Sequence, residues 1–229
     1  MALKFYYDLM SQPSRTVYMF LKLNKISFED KKVALRKGEH RTEEFAKINP
    51  LQLVPVIDDN GFILTESIAI VEYLSSTRNT PDHWYPRSDP QKRARINEYL
   101  HWHHLNTRLG CSMVIQNLLI IPRATGNPVN MGKVNFFRQK VREVVKHLEE
   151  YYLAKTPFLS SDVITIADLF CACELQQLYP VLEEGLYESS AVVTAWMARV
   201  RKQTNPFFDE AHQVGRQVRV MYEKIKAQL

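Results

Sequence analysis

The feature that most constrains this chain is a change of hydrophobic period near residue 79. Before it, short alternating runs read as strands and are interleaved with helical runs. After it, only helical periods remain. A strand-bearing layer and a purely helical layer bury their apolar faces in different ways, so two packed units are expected. The segment between them, Arg78–Pro90 (RNTPDHWYPRSDP), carries three prolines and little periodicity, and reads as a linker. The expected division is 1–78, a linker at 79–90, and 91–229. A chain of 229 residues is long enough for two such units sharing an interface.

In the first unit Leu3, Phe5, Tyr7 and Leu9 fall on one face of a strand. Pro13 suits the first turn of a helix, and Val17, Phe20, Leu21 and Asn24 continue at helical spacing. Phe28 to Val33 is a second strand. So short a connection implies a parallel pair with a right-handed crossover. Val54-Pro55-Val56-Ile57 and Phe62-Ile63-Leu64 bracket Asp58-Asp59-Asn60-Gly61, a hairpin signal. Thr65 and Glu66 then open a helix carrying Ile68, Ala69, Val71 and Leu74, with Thr65 as the expected capping residue. Pro55 cannot donate to a central ladder, and a cis peptide at the strand entrance would account for it. The order βαβ, a short helical or loop segment, then ββα matches a thioredoxin-like sheet.

The second unit is all-α. Ile96, Leu100, Leu105, Leu109 and Met113 recur at roughly helical steps, and Val134, Phe137, Val141, Val144, Leu148 and Tyr152 do so more cleanly. Thr165-Ile166-Ala167-Asp168 reads as a capping box, with Ile164 placed as a hydrophobic staple. Val193, Trp196 and Val200 mark a further helix, which Pro206 limits before a last helical segment toward Leu229.

Composition narrows the function classes. No apolar run is long enough to cross a bilayer, and Met1–Leu9 does not read as a secretory signal. Cys111, Cys171 and Cys173 match neither a zinc site nor a redox pair; buried free thiols in a reducing, cytoplasmic compartment are expected. The net charge of +5 raises the question of nucleic acid. Lys and Arg are interleaved with Asp and Glu, however, and no basic and aromatic stripe stands out. The excess reads as attraction for anionic ligands. His101 and His104 can share a helix face, but no further ligands complete a shell, so no metal is expected.

Four segments carry a resemblance. They are Asp8–Arg15 (DLMSQPSR), Lys37–His40 (KGEH), Asn49–Pro55 (NPLQLVP) and Leu64–Ile70 (LTESIAI). With the capping segment Ile164–Leu169, they resemble the cytosolic glutathione S-transferases over essentially the whole chain. Ser11-Gln12-Pro13 and the linker Pro81–Pro86 (PDHWYP) are similar to the theta class in particular. The resemblance implies an α/β thioredoxin-like amino-terminal domain followed by an all-α domain. It also implies glutathione as co-substrate without a separate cofactor, a small electrophilic substrate and a homodimer.

Conjugation needs glutathione as a thiolate, and a free thiol with a pKa of about 8.5 is mostly protonated at neutral pH. Ser11 lies between the first strand and the Pro13 helix start. There a hydroxyl hydrogen bond and the positive helix end can both favour the anion. By spacing alone Ser11 is equally a helix cap; the resemblance assigns it the catalytic role. Tyr6, Tyr7 and Ser14 remain rivals. The resemblance places Gln12, His40, Leu53, Val54, Pro55, Glu66 and Ser67 around glutathione. Glu66 and Ser67 suit the γ-glutamyl end, Leu53 and Val54 offer extended backbone to the cysteinyl unit, and His40 approaches the glycyl carboxylate. As residues alone, His40 reads equally as solvated surface and Arg108 as an ordinary helix-surface arginine. The resemblance sets Arg108 beside an electrophile site lined by apolar side chains of the second unit. The chain departs from the mammalian theta pattern at its carboxyl end. It has no tryptophan near the terminus and closes on a basic amphipathic segment, Val214–Leu229. A second reading of the same fold is a non-catalytic ligand-binding or structural protein.

Overall fold

The computed structural model describes residues 2–227. Strand β1 (Leu3–Tyr7) leads into helix α1 (Gln12–Leu23), and β2 (Phe28–Lys32) returns parallel to β1 with Leu3 opposite Phe28. A short helix α2 (Glu43–Ala46) precedes β3 (Val56–Asp59), which runs antiparallel to β1 and forms a hairpin with β4 (Phe62–Leu64). The sheet order is β2-β1-β3-β4, and α3 (Ser67–Thr77) closes the unit. This is the thioredoxin-like arrangement.

The local causes are readable. Leu3, Phe5 and Tyr7 are buried while Lys4 and Tyr6 are half-buried, as a central strand requires. Asn60 and Gly61 both adopt positive φ, 57° and 93°, and Gly61 N–H donates to Asp58 at 2.7 Å. Two such residues make the tight turn whose twist suits a hairpin. The Val54–Pro55 peptide is cis, as the sequence suggests. Pro55 and Val54 lie just outside β3, so the missing N–H leaves no gap in the ladder. One detail differs: the cap of α3 is Glu66, not Thr65, and its side chain makes no capping bond.

The helical part begins with α4 (Pro90–His103), capped by Asp89, which accepts from Lys92 N–H at 3.0 Å. The chain then passes through a π-turn (His104–Arg108), α5 (Leu109–Ile115), a second π-turn (Gln116–Ile120) and α6 (Ile121–Thr125). Each π-turn adds a residue to one helical turn and rotates everything after it. The expected stripe therefore breaks. Leu105 is 77% exposed and Leu109 also faces outward, while Thr107, Gly110, Cys111 and Val114 point inward. Gly110 allows a close approach, since a Cβ there would lie 3.2 Å from Val141 Cγ2. Helix α7 (Met131–His147) and the π-turn Leu148–Tyr152 bury Val134, Val141, Val144, Leu148 and Tyr152, as their spacing predicts.

Helix α8 (Ile166–Leu175) is buried along its whole length and packs against α1. Its predicted capping box is present. Asp168 does more than cap: its carboxylate also accepts from Leu159 N–H at 2.9 Å and Trp196 Nε1–H at 2.8 Å. Helices α9 (Gly185–Glu188), α10 (Ala191–Thr204), α11 (Phe207–Ala211) and α12 (Gln213–Lys226) complete the fold, with a cis Asn205–Pro206 peptide after α10. Helix α12 takes up most of the predicted terminal segment; residues 228 and 229 lie outside the described residues.

The proline-rich segment is firmly held. Trp84 packs edge-on against Phe20 and accepts from Ile166 N–H at 3.1 Å through its carbonyl. Arg87 donates to the carbonyls of Ser75 and Arg78 at 2.8 and 2.7 Å. No helix among the described residues is long and apolar enough to cross a membrane, and the three cysteines are free and buried.

Removing the Asp168 carboxylate takes the acceptor from four buried donors, Leu159 N–H, Thr165 N–H, the Thr165 hydroxyl and Trp196 Nε1–H, each worth about 1–3 kcal/mol. Asp168→Ala is therefore expected to lower stability by at least about 3 kcal/mol, read as a shift in the urea unfolding midpoint with an unchanged slope.

Candidate active site

Ser11 is the N-cap of α1, with φ −81° and ψ 120°. Its Oγ accepts from Ser14 N–H at 3.4 Å and donates to the Val54 carbonyl at 3.4 Å. Both bonds are long, so the hydroxyl proton is available to a stronger acceptor. The loop that presents it is fixed from two sides. Asp8 accepts from Met10 N–H at 2.8 Å and Leu35 N–H at 3.0 Å, and its carbonyl accepts from Ser11 N–H at 2.9 Å. From below, Arg15 donates to the carbonyls of Leu9 and Met10 at 2.6 and 3.2 Å. Arg15 is only 2% exposed.

Leu53, Val54, Pro55, Glu66 and Ser67 line one cleft of about 90 Å³. Asn49 braces its wall, accepting from Leu51 N–H at 3.0 Å and donating to the Leu53 carbonyl at 2.8 Å. Glu66 holds φ at 63°, a region that bulky residues seldom occupy, and its side chain is exposed. Because no side chain caps α3, its first N–H groups are free for an anionic ligand. His103, His104 and Arg108 line the same cleft from the helical side.

The family model for the glutathione S-transferase amino-terminal domain matches residues 1–76. Glutathione S-transferase theta-1 of Bos taurus is 39% identical over 93% of this chain and 89% of its own length. Theta-2 of Homo sapiens is 42% identical over 87% of this chain and 81% of its own. A solved human theta-class enzyme, in complex with the glutathione conjugate of 1-menaphthyl sulfate, superimposes with a TM-score of 0.91. It is 38% identical and covers 100% of this chain and 91% of its own. The chain belongs to the theta class of the glutathione S-transferase family.

Within this theta-class transferase the predicted residues do not all meet in the cleft: Ser11 stands beside it, bonded to the carbonyl of the lining residue Val54, and is not itself a lining residue. Gln12 is buried under the Ser11 turn, close enough to Glu174 to favour its ionised form. His40 stands apart, half-buried in a 3-10 turn (Glu39–Arg41), with its Nδ1 unpartnered among the described residues. Arg108 is in the cleft and is not free: Glu174 holds it at 2.9 Å. Burial raises the Glu174 carboxyl's pKa and Arg108 pulls it back down. The helical wall of this cleft is thus two histidines and an arginine.

Of the two tyrosine rivals, Tyr7 has its hydroxyl engaged. Tyr7 is buried, stacks on Phe5 at 4.4 Å and donates its hydroxyl to Asp30 at 2.7 Å. Burial and that carboxylate push its pKa up, the wrong direction for a proton donor. Tyr6 packs against Phe45. Ser14 is buried inside the first turn of α1. Sequence reasoning missed Arg15 as a brace, Asn49 as a wall residue and Glu174 as the partner of Arg108. A charged residue within the apolar run Leu169–Leu175 was the available signal for Glu174.

His103 is buried with Nδ1 at 2.6 Å from the Leu100 carbonyl, and His212 is buried with Nδ1 at 2.8 Å from the Phe208 carbonyl. Burial lowers their pKa values to about 4 and about 3; Arg108 and His104 add to this at His103, Arg15 and Arg216 at His212. The unfolded chain thus binds protons first as the pH falls below about 6.5, and the stability held above that value is lost on the way down toward pH 4. Each histidine is expected to cost about 2 kcal/mol between pH 7 and pH 5. Urea unfolding at both pH values measures this, and His103→Gln should remove about half of the difference.

Proposed function

We propose that Ser11 holds bound glutathione as its thiolate by hydroxyl hydrogen bonding, and that the thiolate attacks small hydrophobic electrophiles such as halides, epoxides and reactive alkenes. The observation that carries this reading is the contrast between Ser11 and Tyr7. Ser11 has only two long bonds at the head of α1, whereas the Tyr7 proton is committed to Asp30 at 2.7 Å. A thiolate arriving at the cleft is a better acceptor than the Val54 carbonyl, so the Ser11 proton turns to it. The N-terminus of α1 adds a favourable field. The serine stays a hydrogen-bond donor throughout: the thiol proton leaves to water before attack, and the sulfur forms the new bond to carbon as the halide departs, or as the epoxide C–O bond or the alkene π bond breaks and the resulting anion takes a proton from water.

The rest of glutathione is assigned to neighbouring groups. The open N-terminus of α3 and the Ser67 hydroxyl take the γ-glutamyl carboxylate, and Glu66 takes the ammonium. The backbone of Leu53 and Val54 pairs with the cysteinyl unit, while His40 and Gln12 support the far end and the loop. Arg108, fixed by Glu174, polarises the electrophile or its leaving group. The glutathione-binding domain is taken as 1–78, the linker as 79–90 and the helical domain as 91–229. Glutathione is the only cofactor-like molecule required. The chain is assigned to the cytoplasm and to a homodimer; exposed Phe62 and Ile63 on edge strand β4 favour an apolar partner there.

A hydrogen bond to a charged group is worth about 1.5–3 kcal/mol, or roughly 10- to 100-fold in rate. Ser11→Ala is expected to lower kcat/KM by that factor and to move the pKa of bound glutathione back toward that of the free thiol. Ultraviolet difference titration of the complex reads the thiolate directly. Tyr7→Phe is expected to leave the titration unchanged; a loss of thiolate in Tyr7→Phe and not in Ser11→Ala would transfer the role to the tyrosine.

A further inference from the structure

We propose that Glu174 is a positioning residue for the transfer reaction: a single buried carboxylate that sets the Arg108 guanidinium for the electrophile and balances charge beneath the first turn of α1. The inference rests on the roles given to Ser11 and Arg108 above and adds the group that couples them.

Glu174 lies at the end of α8, the helix that packs against α1. Its side chain is 2% exposed, while that of Arg108 is 36% exposed. Oε1 accepts from Arg108 Nη1 at 2.9 Å. Arg108 makes no other hydrogen bond among the described residues, so its remaining N–H groups are open to the cleft that it lines. A guanidinium held from behind in this way keeps part of its planar fork for an electron-rich leaving group. On the α1 side, Gln12 and Arg15 are both close enough to favour the ionised carboxylate, and Gln12 follows Ser11 directly. The second oxygen, Oε2, is buried and has no hydrogen-bond partner among the described residues. Burying a carboxylate with one oxygen unpaired costs stability, so stability alone does not account for a glutamate at this position.

The charge balance is local. Tyr99, Cys111, Cys171 and Cys173 also surround Glu174, and burial keeps each of them neutral by raising its pKa. Asp8 lies near Arg15, but Glu174 is the carboxylate that feels both guanidinium groups. Removing its charge leaves the sulfur site facing two less compensated cations. Keeping the charge but shortening its reach lets Arg108 swing.

Two variants of Glu174 separate these effects. In Glu174→Gln the charge goes and the size stays. Ultraviolet difference titration is expected to show the pKa of bound glutathione falling by about 0.5 or more, roughly threefold in the ionisation constant. The amide holds Arg108 more weakly, so kcat for 4-nitrobenzyl chloride is expected to fall about fivefold or more. That kcat is measured at saturating glutathione and at a pH where the thiolate is complete in every variant. More thiolate with slower transfer is a pairing that simple loosening of α1 does not give. In Glu174→Asp the charge stays and the reach is lost, so the titration keeps its parental value while kcat falls. Arg108→Gln is expected to lower kcat by a similar factor, and adding Glu174→Gln to it lowers kcat little further. Circular dichroism checks that each variant is folded. The proposal is overturned if folded Glu174→Gln and Glu174→Asp both turn over as the parent does, or if the pKa of bound glutathione rises in Glu174→Gln. Parental turnover in Arg108→Gln overturns it too, and the role of Arg108 then fails with it. A loss of turnover in Arg108→Gln but in neither Glu174 variant leaves that role standing and removes only the role of Glu174.

Discussion

Helix α1 is enclosed on every side, and the position of the reactive end of the molecule follows from that enclosure. Residues Gln12 to Leu21 are all buried, against the sheet, α3, α8 and α11. A charged side chain, Arg15, lies within this packing. Its desolvation is offset by the carbonyls of Leu9 and Met10 and by the nearby Glu174 carboxylate. A helix end and a hydroxyl influence a charge only within about the first turn, so a mobile α1 would forfeit both effects. The helical part therefore serves the chemistry twice: it supplies one wall of the cleft, and through α8 it immobilises the helix that presents Ser11.

Much of the fold could be read in advance because its signals are local. The alternation of Leu3, Phe5 and Tyr7, the Asn60-Gly61 turn, the capping box of α8 and the stripe of α7 each depend on neighbours within a few residues. The π-turns at His104–Arg108 and Gln116–Ile120 were not readable. An i→i+5 bond leaves no period of its own, and only packing against α7 and α8 decides where the extra residue is absorbed. The same holds for Glu66, whose positive φ follows from how α3 meets the sheet and not from the preferences of glutamate.

The site divides in the same way. Of the proposed site, Ser11, the Val54-Pro55 strand entrance and the Glu66-Ser67 helix start could be nominated from the sequence because they sit in short, recognisable segments. Tyr7 could be set aside only once Asp30, on the neighbouring strand, was seen to hold its proton. The pairing of Arg108 with Glu174, 66 residues apart, is a product of folding alone. It changes the meaning of the arginine, which is an oriented charge in the cleft and not a loose surface cation.

The terminal helix α12 is fastened differently from the rest. Of its residues Gly215 and Val218 are buried, and Val214, Met221, Tyr222 and Ile225 pack half-buried against the core; Arg219 adds polar fastening, pairing with Glu184, donating to the Tyr179 carbonyl and lying over that tyrosine's ring at 4.3 Å. The polar part of this attachment loosens in salt, while the apolar part does not. Ionic strength should accordingly act on the carboxyl end of the molecule through Arg219 while α1 and its serine, held by buried packing, stay where they are.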